Sequence, residues 1–169
     1  MMASRVFRCV RMLTFVATAA SVLVVMPEAA GAASPPKVTI TKGPYHDLET
    51  IKISVGSNHY FKKYLHINIL ECADPGGKKR NLPTSVATCD GNTIQGNTVL
   101  IASNGSFSEQ SYEVFTLPNL SELGEGPTVQ PVCNAKKACV LYIGENQVDF
   151  NWPKEFSRPF YVLSARKKS

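Results

Sequence analysis

Cysteine and histidine are the residues of this chain best suited to covalent or metal chemistry, and it holds five of the first and three of the second. The histidines are scattered. His46 precedes Asp47 in an expected turn between the first two strands, His59 lies in a loop beside Asn58 and Tyr60, and His66 opens a strand. No H-E-x-x-H, G-x-S-x-G elbow or phosphate-binding glycine loop accompanies them. They read as surface histidines, with a three-histidine metal site as the alternative that sequence leaves open. Cys9 falls in an N-terminal leader, which leaves Cys72, Cys89, Cys133 and Cys139. An even number in a small exported chain reads as a disulfide framework, and four cysteines allow three pairings. The antibody-type pairing would join Cys72 to Cys139. It wants a Trp shortly after the first Cys and a Tyr two residues before the second. The single Trp, Trp152, follows both, and Lys137 holds the Tyr position. The expected bridges are therefore Cys72–Cys89 and Cys133–Cys139, contributing about 3 and about 2 kcal/mol by loop entropy. A zinc site is the rival; the spacing lacks the C-x2-C signature. With the thiols consumed and no catalytic motif, the expectation is no catalytic residue, no metal, no cofactor and no enzyme.

Export itself is read from the first residues. Arg5, Arg8 and Arg11 form a positive stretch, an apolar run extends from Met12 to Met26, and Ala30-Gly31-Ala32 offers a cleavage site. This is the pattern of a secretory signal peptide over residues 1–32. The alternative is an uncleaved N-terminal anchor, although a confident transmembrane helix needs about 20 apolar residues. The organisation expected is a signal peptide (1–32), one domain (33–165) and a basic tail (166–169). The domain is secreted and monomeric, with no stable membrane insertion after cleavage.

Charge narrows the partners. The formal charge of +5 shrinks once the leader, with three Arg and one Glu, is set aside. Arg166, Lys167 and Lys168 then account for the whole remaining excess, so the body is formally neutral. A nucleic-acid groove needs clustered cations. Only Lys78-Lys79-Arg80 makes an internal cluster, and it follows Pro75-Gly76-Gly77 on a loop. No strong nucleic-acid binding by the protein itself is expected.

The elements that must position these residues are strands. Alternation or short apolar runs mark Lys37–Thr41, Thr50–Val55, Leu65–Cys72, Thr98–Ala102, Ser106–Leu117, Ala138–Ile143 and Pro159–Leu163, punctuated by Gly, Pro and Asn. In the third, Leu65, Ile67 and Ile69 share one face and His66, Asn68, Leu70 and Cys72 the other. In the fifth, Phe107 and Tyr112 fall on opposite sides after an apparent phase slip. No window shows a sustained 3.6-residue period. Seven short strands at this pace predict an all-β, antiparallel β-sandwich.

The order of parts resembles the neocarzinostatin family. The residues that carry the resemblance are Thr50–Gly56, Glu71-Cys72-Ala73, Ser103–Ser108, Cys133 through Gly144 and the closing Phe156–Phe160 run. The resemblance spans about Val38 to Val162. It implies a seven-stranded immunoglobulin-like sandwich, secreted by actinobacteria, of a kind whose best-known members are non-enzymatic apoproteins. Those members hold an enediyne antibiotic and deliver it to DNA, the source of antibacterial and DNA-binding labels for the family. By the same resemblance the cleft side of the third strand carries Asn68, Leu70, Cys72 and Asp74, and that of the strand after Cys139 carries Val140, Tyr142 and Gly144. Asp74 stands where the family has an aromatic, and Leu70 and Tyr142 about where it has glycines, so that these two side chains either plug the cleft as ordinary packing or go with a changed ligand. Trp152, with Phe150 and Tyr142, is the candidate replacement for the missing aromatic, since an indole stacks well on a flat ligand. The alternative is that Trp152 anchors its loop. The candidate ligand-binding set is thus Asn68, Leu70, Asp74, Val140, Tyr142, Phe150 and Trp152.

Two functions follow as expectations. One is a secreted carrier holding a small apolar or aromatic ligand at the loop end of the sandwich. The other is an immunoglobulin-like interaction module that binds a protein or a cell-surface polymer.

Overall fold

The computed structural model describes residues 33–75, 81–94, 99–119 and 131–166. The expected leader, the Lys78-Lys79-Arg80 cluster and the tail beyond Arg166 lie outside the described residues.

The described chain is all-β. Ten strands run in the order β1 (Val38–Ile40), β2 (Tyr45–His46), β3 (Thr50–Val55), β4 (His66–Ala73), β5 (Cys89–Asp90), β6 (Val99–Leu100), β7 (Phe107–Glu113), β8 (Cys139–Gly144), β9 (Lys154–Phe156) and β10 (Val162–Leu163). Short 3-10 turns at Val86–Thr88 and Gly91–Thr93 flank β5. All seven expected strands are present; β4 and β8 are shifted by one residue, to end at Ala73 and Gly144, β3 matches, and the others are shorter. The count of seven is corrected by three short strands, β2, β5 and β9, so that His46 sits in a strand and not in a turn. One antiparallel sheet has the order β1-β3-β7, a second β5-β4-β8-β9 with β6 also on β4, and β2 pairs parallel with β10.

The residue pattern explains the layers. In β3, Ile51, Ile53 and Val55 are buried while Thr50 and Lys52 are exposed, the alternation of a strand with one covered face. With Val38, Ile40, Phe107 and Tyr112 they meet Ile67, Ile69, Leu141 and Ile143 of the second sheet in one cluster. The middle of the second sheet differs, because all six residues of β8 are buried. Both of its faces must then be covered. Leu141 and Ile143 point to the main cluster, whereas Val140 and Tyr142 join Leu70, Cys72, Cys89 and Phe150 in a second one.

The phase slip in β7 is a bulge. Phe107 and Tyr112 are an odd number of residues apart, yet both belong to the main cluster. They can do so because the register shifts between Ile53↔Gln110 and Val55↔Phe107, with Glu109 at φ 53°. One extra residue on β7 restores the inward phase. Nearby, Gly105 at φ 80° packs on the Asn58 carbonyl, where any Cβ would collide. The bulge and this turn keep Phe107 facing inward.

The bridges are Cys72–Cys89, across β4 and β5, and Cys133–Cys139, at the head of β8. Among the described residues no helix is long and apolar enough to cross a membrane.

Candidate functional site

The candidate ligand-binding residues separate into one cluster of four and three that stand apart. Leu70, Val140, Tyr142 and Phe150 come together in the second cluster, where none is more than 8% exposed. Asn68 is half-buried opposite Gly144 on the same sheet. Asp74 lies just past β4, 7% exposed, and its N–H donates to the Ala138 carbonyl. Trp152 is 49% exposed, belongs to neither cluster and makes no ring contact among the described residues.

The outer face of β4 and β8 is closed by the chain's own side chains. Phe150 stacks on Tyr142 with ring centroids 4.5 Å apart and planes 16° from parallel. Phe156 meets both rings edge-on, at 5.8 and 6.2 Å. Leu82 and Ile94 pack against the same cluster. The Tyr142 hydroxyl donates to the Asn146 carbonyl. Burial, partly offset by that hydrogen bond, pushes its pKa up to about 12. Gly144 makes this possible: a Cβ there would collide with the Tyr142 ring and hydroxyl. Tyr142 and Phe150 therefore act as packing partners in this conformation, and their faces are occupied by each other.

A groove of about 660 Å³ opens beside this closed face. Phe156 and Leu82, which flank the aromatic cluster, line it together with Val38, Pro35, Pro36 and Pro159. Lys37, Lys154, Glu155, Ser157 and Arg158 complete its walls. The volume lies in the range of small-molecule sites, about 300–1,000 Å³, and a mostly apolar lining with a few placed polar groups is their usual make-up. β9 supplies one wall and is an edge strand of the second sheet. Its outward backbone groups are engaged: the Tyr60 hydroxyl and Lys154 share hydrogen bonds of 3.0 and 3.3 Å, and the Phe156 N–H donates to Glu155 Oε1 at 3.0 Å. Such an edge resists further strand pairing and leaves side chains to do the recognising. Sequence reasoning missed this site. The Pro35-Pro36-Lys37 segment carried no reading as a site, and the Phe156–Phe160 run entered only as part of a resemblance. The available signal was a cation beside proline in each segment, Pro36-Lys37 and Arg158-Pro159.

A second feature was also invisible in the sequence. Glu71 follows Ile67 and Ile69 on the inward face of β4 and is fully buried. Its Oε2 accepts the Phe115 N–H at 2.9 Å, and its Oε1 lies 3.6 Å from Cys133 Sγ. That sulfur is bridged and carries no hydrogen, so a proton in this contact belongs to the carboxyl. Burial holds the Glu71 pKa well above its usual value, with Asp47 and Asp90 adding to the rise and the Phe115 hydrogen bond opposing it. Thr93 ties this region together, accepting the Glu71 N–H at 2.8 Å and donating to the Asp90 carbonyl at 2.6 Å. Tyr112 donates to the Thr93 carbonyl at 2.9 Å. Among the described residues, Glu71, Cys133 and Cys139 are the group of metal-type donors brought close together. Both sulfurs are spent in the bridge. The histidines do not converge with them: His46 Nδ1 lies 2.9 Å from the Ser164 carbonyl, while His59 and His66 are exposed.

No protein-family model, curated protein or solved structure matches the chain. The neocarzinostatin resemblance stands on the short motifs quoted above.

Proposed function

We propose that this protein is a secreted, monomeric, non-enzymatic binding protein built on an immunoglobulin-like sandwich, and that it holds a small apolar or aromatic ligand. The groove carries this reading: about 660 Å³, with Phe156, Leu82 and three prolines among its lining residues. The two disulfides and the order of motifs support an exported domain similar to the neocarzinostatin apoproteins. The position of the ligand differs from the one that resemblance implies, because the outer sheet face is filled by Leu70, Tyr142 and Phe150. A cargo directed at DNA has no support beyond the resemblance.

The test is titration of the oxidised protein with a small neutral aromatic dye, N-phenyl-1-naphthylamine. Saturable binding that is weakened by Phe156→Ala, measured at a temperature where the variant remains folded, supports the carrier. Absence of saturable binding by every small aromatic dye, neutral or charged, sinks it.

The interaction module is favoured by one observation. Tyr64 and Leu100 are 67% and 54% exposed, and the Tyr64 N–H donates to Ile101, next to Leu100. Two exposed large apolar residues thus lie on neighbouring segments at the β4–β6 end. Tyr64→Ser with Leu100→Ser would abolish partner capture in that reading and leave dye binding intact.

A further inference from the structure

The groove's charge identifies its ligand more closely, on the reading that the groove is a ligand site. Lys37, Lys154 and Arg158 line it, against one carboxylate, Glu155. Three cations on one groove stand out in a body that is formally neutral between residues 33 and 165. Glu155 is turned to its own strand, where Oε1 accepts the Phe156 N–H. Two of the three cations are held by neutral acceptors. The Arg158 guanidinium donates to the Thr41 carbonyl at 2.7 Å and reaches the Ile40 carbonyl at 3.5 Å. The Lys154 ammonium donates to the Phe150 carbonyl and lies 5.8 Å from the centre of the Phe150 ring. Carbonyls and a ring face orient a cation without cancelling its charge. Arg158 and Lys154 are thus positioned before any ligand arrives, which reduces the ordering cost of binding.

A neutral apolar ligand would cover these cations, displace their water and return no counter-charge. A small hydrophilic anion would leave Phe156, Leu82 and the prolines without a partner. A ligand with both parts satisfies both surfaces. We propose that the groove binds a soluble amphipathic anion, a flat or compact apolar body lying on Phe156, Leu82 and the prolines with one acidic group directed to Lys37, Lys154 and Arg158.

The experiment compares two dyes with the same aromatic body, neutral N-phenyl-1-naphthylamine and its sulfonate, 1-anilinonaphthalene-8-sulfonate. Both are titrated into the full exported chain with both bridges formed. The sulfonate should bind about tenfold more tightly at low salt, the scale of one charge-assisted contact, and the gap should narrow at about 0.5 M salt. Lys37→Gln and Arg158→Gln should each reduce sulfonate affinity and shrink its margin over the neutral dye. Lys37→Gln guards the result against a folding effect, since among the described residues Lys37 has no structural hydrogen bond to lose. Equal affinity for the two dyes, or lysine and arginine variants that bind the sulfonate normally, would overturn the anionic ligand while leaving the carrier reading standing. If neither dye binds, both readings fail. Adsorption to phosphatidylglycerol vesicles without any response to the free sulfonate would replace the soluble ligand with a membrane surface and overturn the proposal.

Discussion

Replacing Glu71 by Gln should stabilise the protein at neutral pH and remove much of its pH dependence. Glu71 is fully buried, and no cation contributes to the shift of its pKa; the charged groups that do are the acids Asp47 and Asp90. The sign follows from linkage. The unfolded chain ionises Glu71 near its ordinary value of 4.5, whereas the folded chain keeps the proton to a higher pH. The folded state therefore binds more protons in the window between those two values, and stability falls as pH rises through it. The contribution is fully present below the unfolded value and is lost as pH climbs to the folded one. Within the window each pH unit costs about 1.4 kcal/mol. Gln keeps the shape and the acceptor for the Phe115 N–H but has nothing to ionise. Urea unfolding at intervals from about pH 4.5 to about pH 8 should thus give two curves that nearly meet at the acid end. They should separate at up to about 1.4 kcal/mol per pH unit in favour of Glu71→Gln. Glu71→Leu separates charge from hydrogen bonding. It strands the buried Phe115 N–H and should cost about 1–3 kcal/mol at every pH relative to Glu71→Gln. Parallel curves for the parent and Glu71→Gln would show that Glu71 does not titrate differently in the folded state, and would refute the argument.

Peptide mapping of the unreduced protein should recover Cys72 joined to Cys89 and Cys133 joined to Cys139; a Cys72–Cys139 peptide would contradict the fold. Phe150→Ala should lower stability by about 3–5 kcal/mol, the cost of removing a buried aromatic, and a small aromatic such as benzene should restore part of the loss by filling the space. Trp152→Ala, at a half-exposed position outside both clusters, should change stability by less than about 1 kcal/mol, as read by thermal melting; a loss near 3 kcal/mol would make it the loop anchor instead.

Much of the main core was legible because alternation is a property of neighbouring residues. Ile51, Ile53 and Val55 announce an inward face, as do Ile67 and Ile69, and the structure places all five in one cluster. A slip between Phe107 and Tyr112 was visible, but the alternation set the two on opposite sides; the extra residue on β7 brings both into the core. The three strands that escaped notice are two or three residues long, and their pairing is imposed by partners. β2 pairs with β10 from the far end of the chain, β5 is tied to β4 at the bridge, and β9 lies along β8. Glu71 was unreadable for a related reason. Its parity pointed inward, but nothing local reveals that Phe115 and a disulfide sulfur would receive it.

The candidate ligand-binding residues show where parity stops being sufficient. Asn68, Leu70, Val140 and Tyr142 belong to the two strands expected to line a cleft, and pairing of Leu70 with Tyr142 confirms that they are neighbours. Whether such a face is open depends on what folds over it. Here Phe150 arrives from beyond β8 and Leu82 from the segment before β5, and Gly144 leaves room for the Tyr142 ring to lie along its own strand. The glycine that lets Tyr142 fit is also what lets it stack on Phe150. Closing that face turns the edge ring, Phe156, toward the N-terminal Pro35–Val38 segment and Arg158, residues more than a hundred positions apart in the chain. The same aromatic packing that fills the expected cleft thereby supplies the floor of the groove at β9. This dependence makes the two sites separable by mutation. Phe150→Ala should loosen the closed face, admit a neutral aromatic there and disturb the groove through Phe156 and Lys154, whereas Lys37→Gln should weaken an anion in the groove and leave the closed face intact.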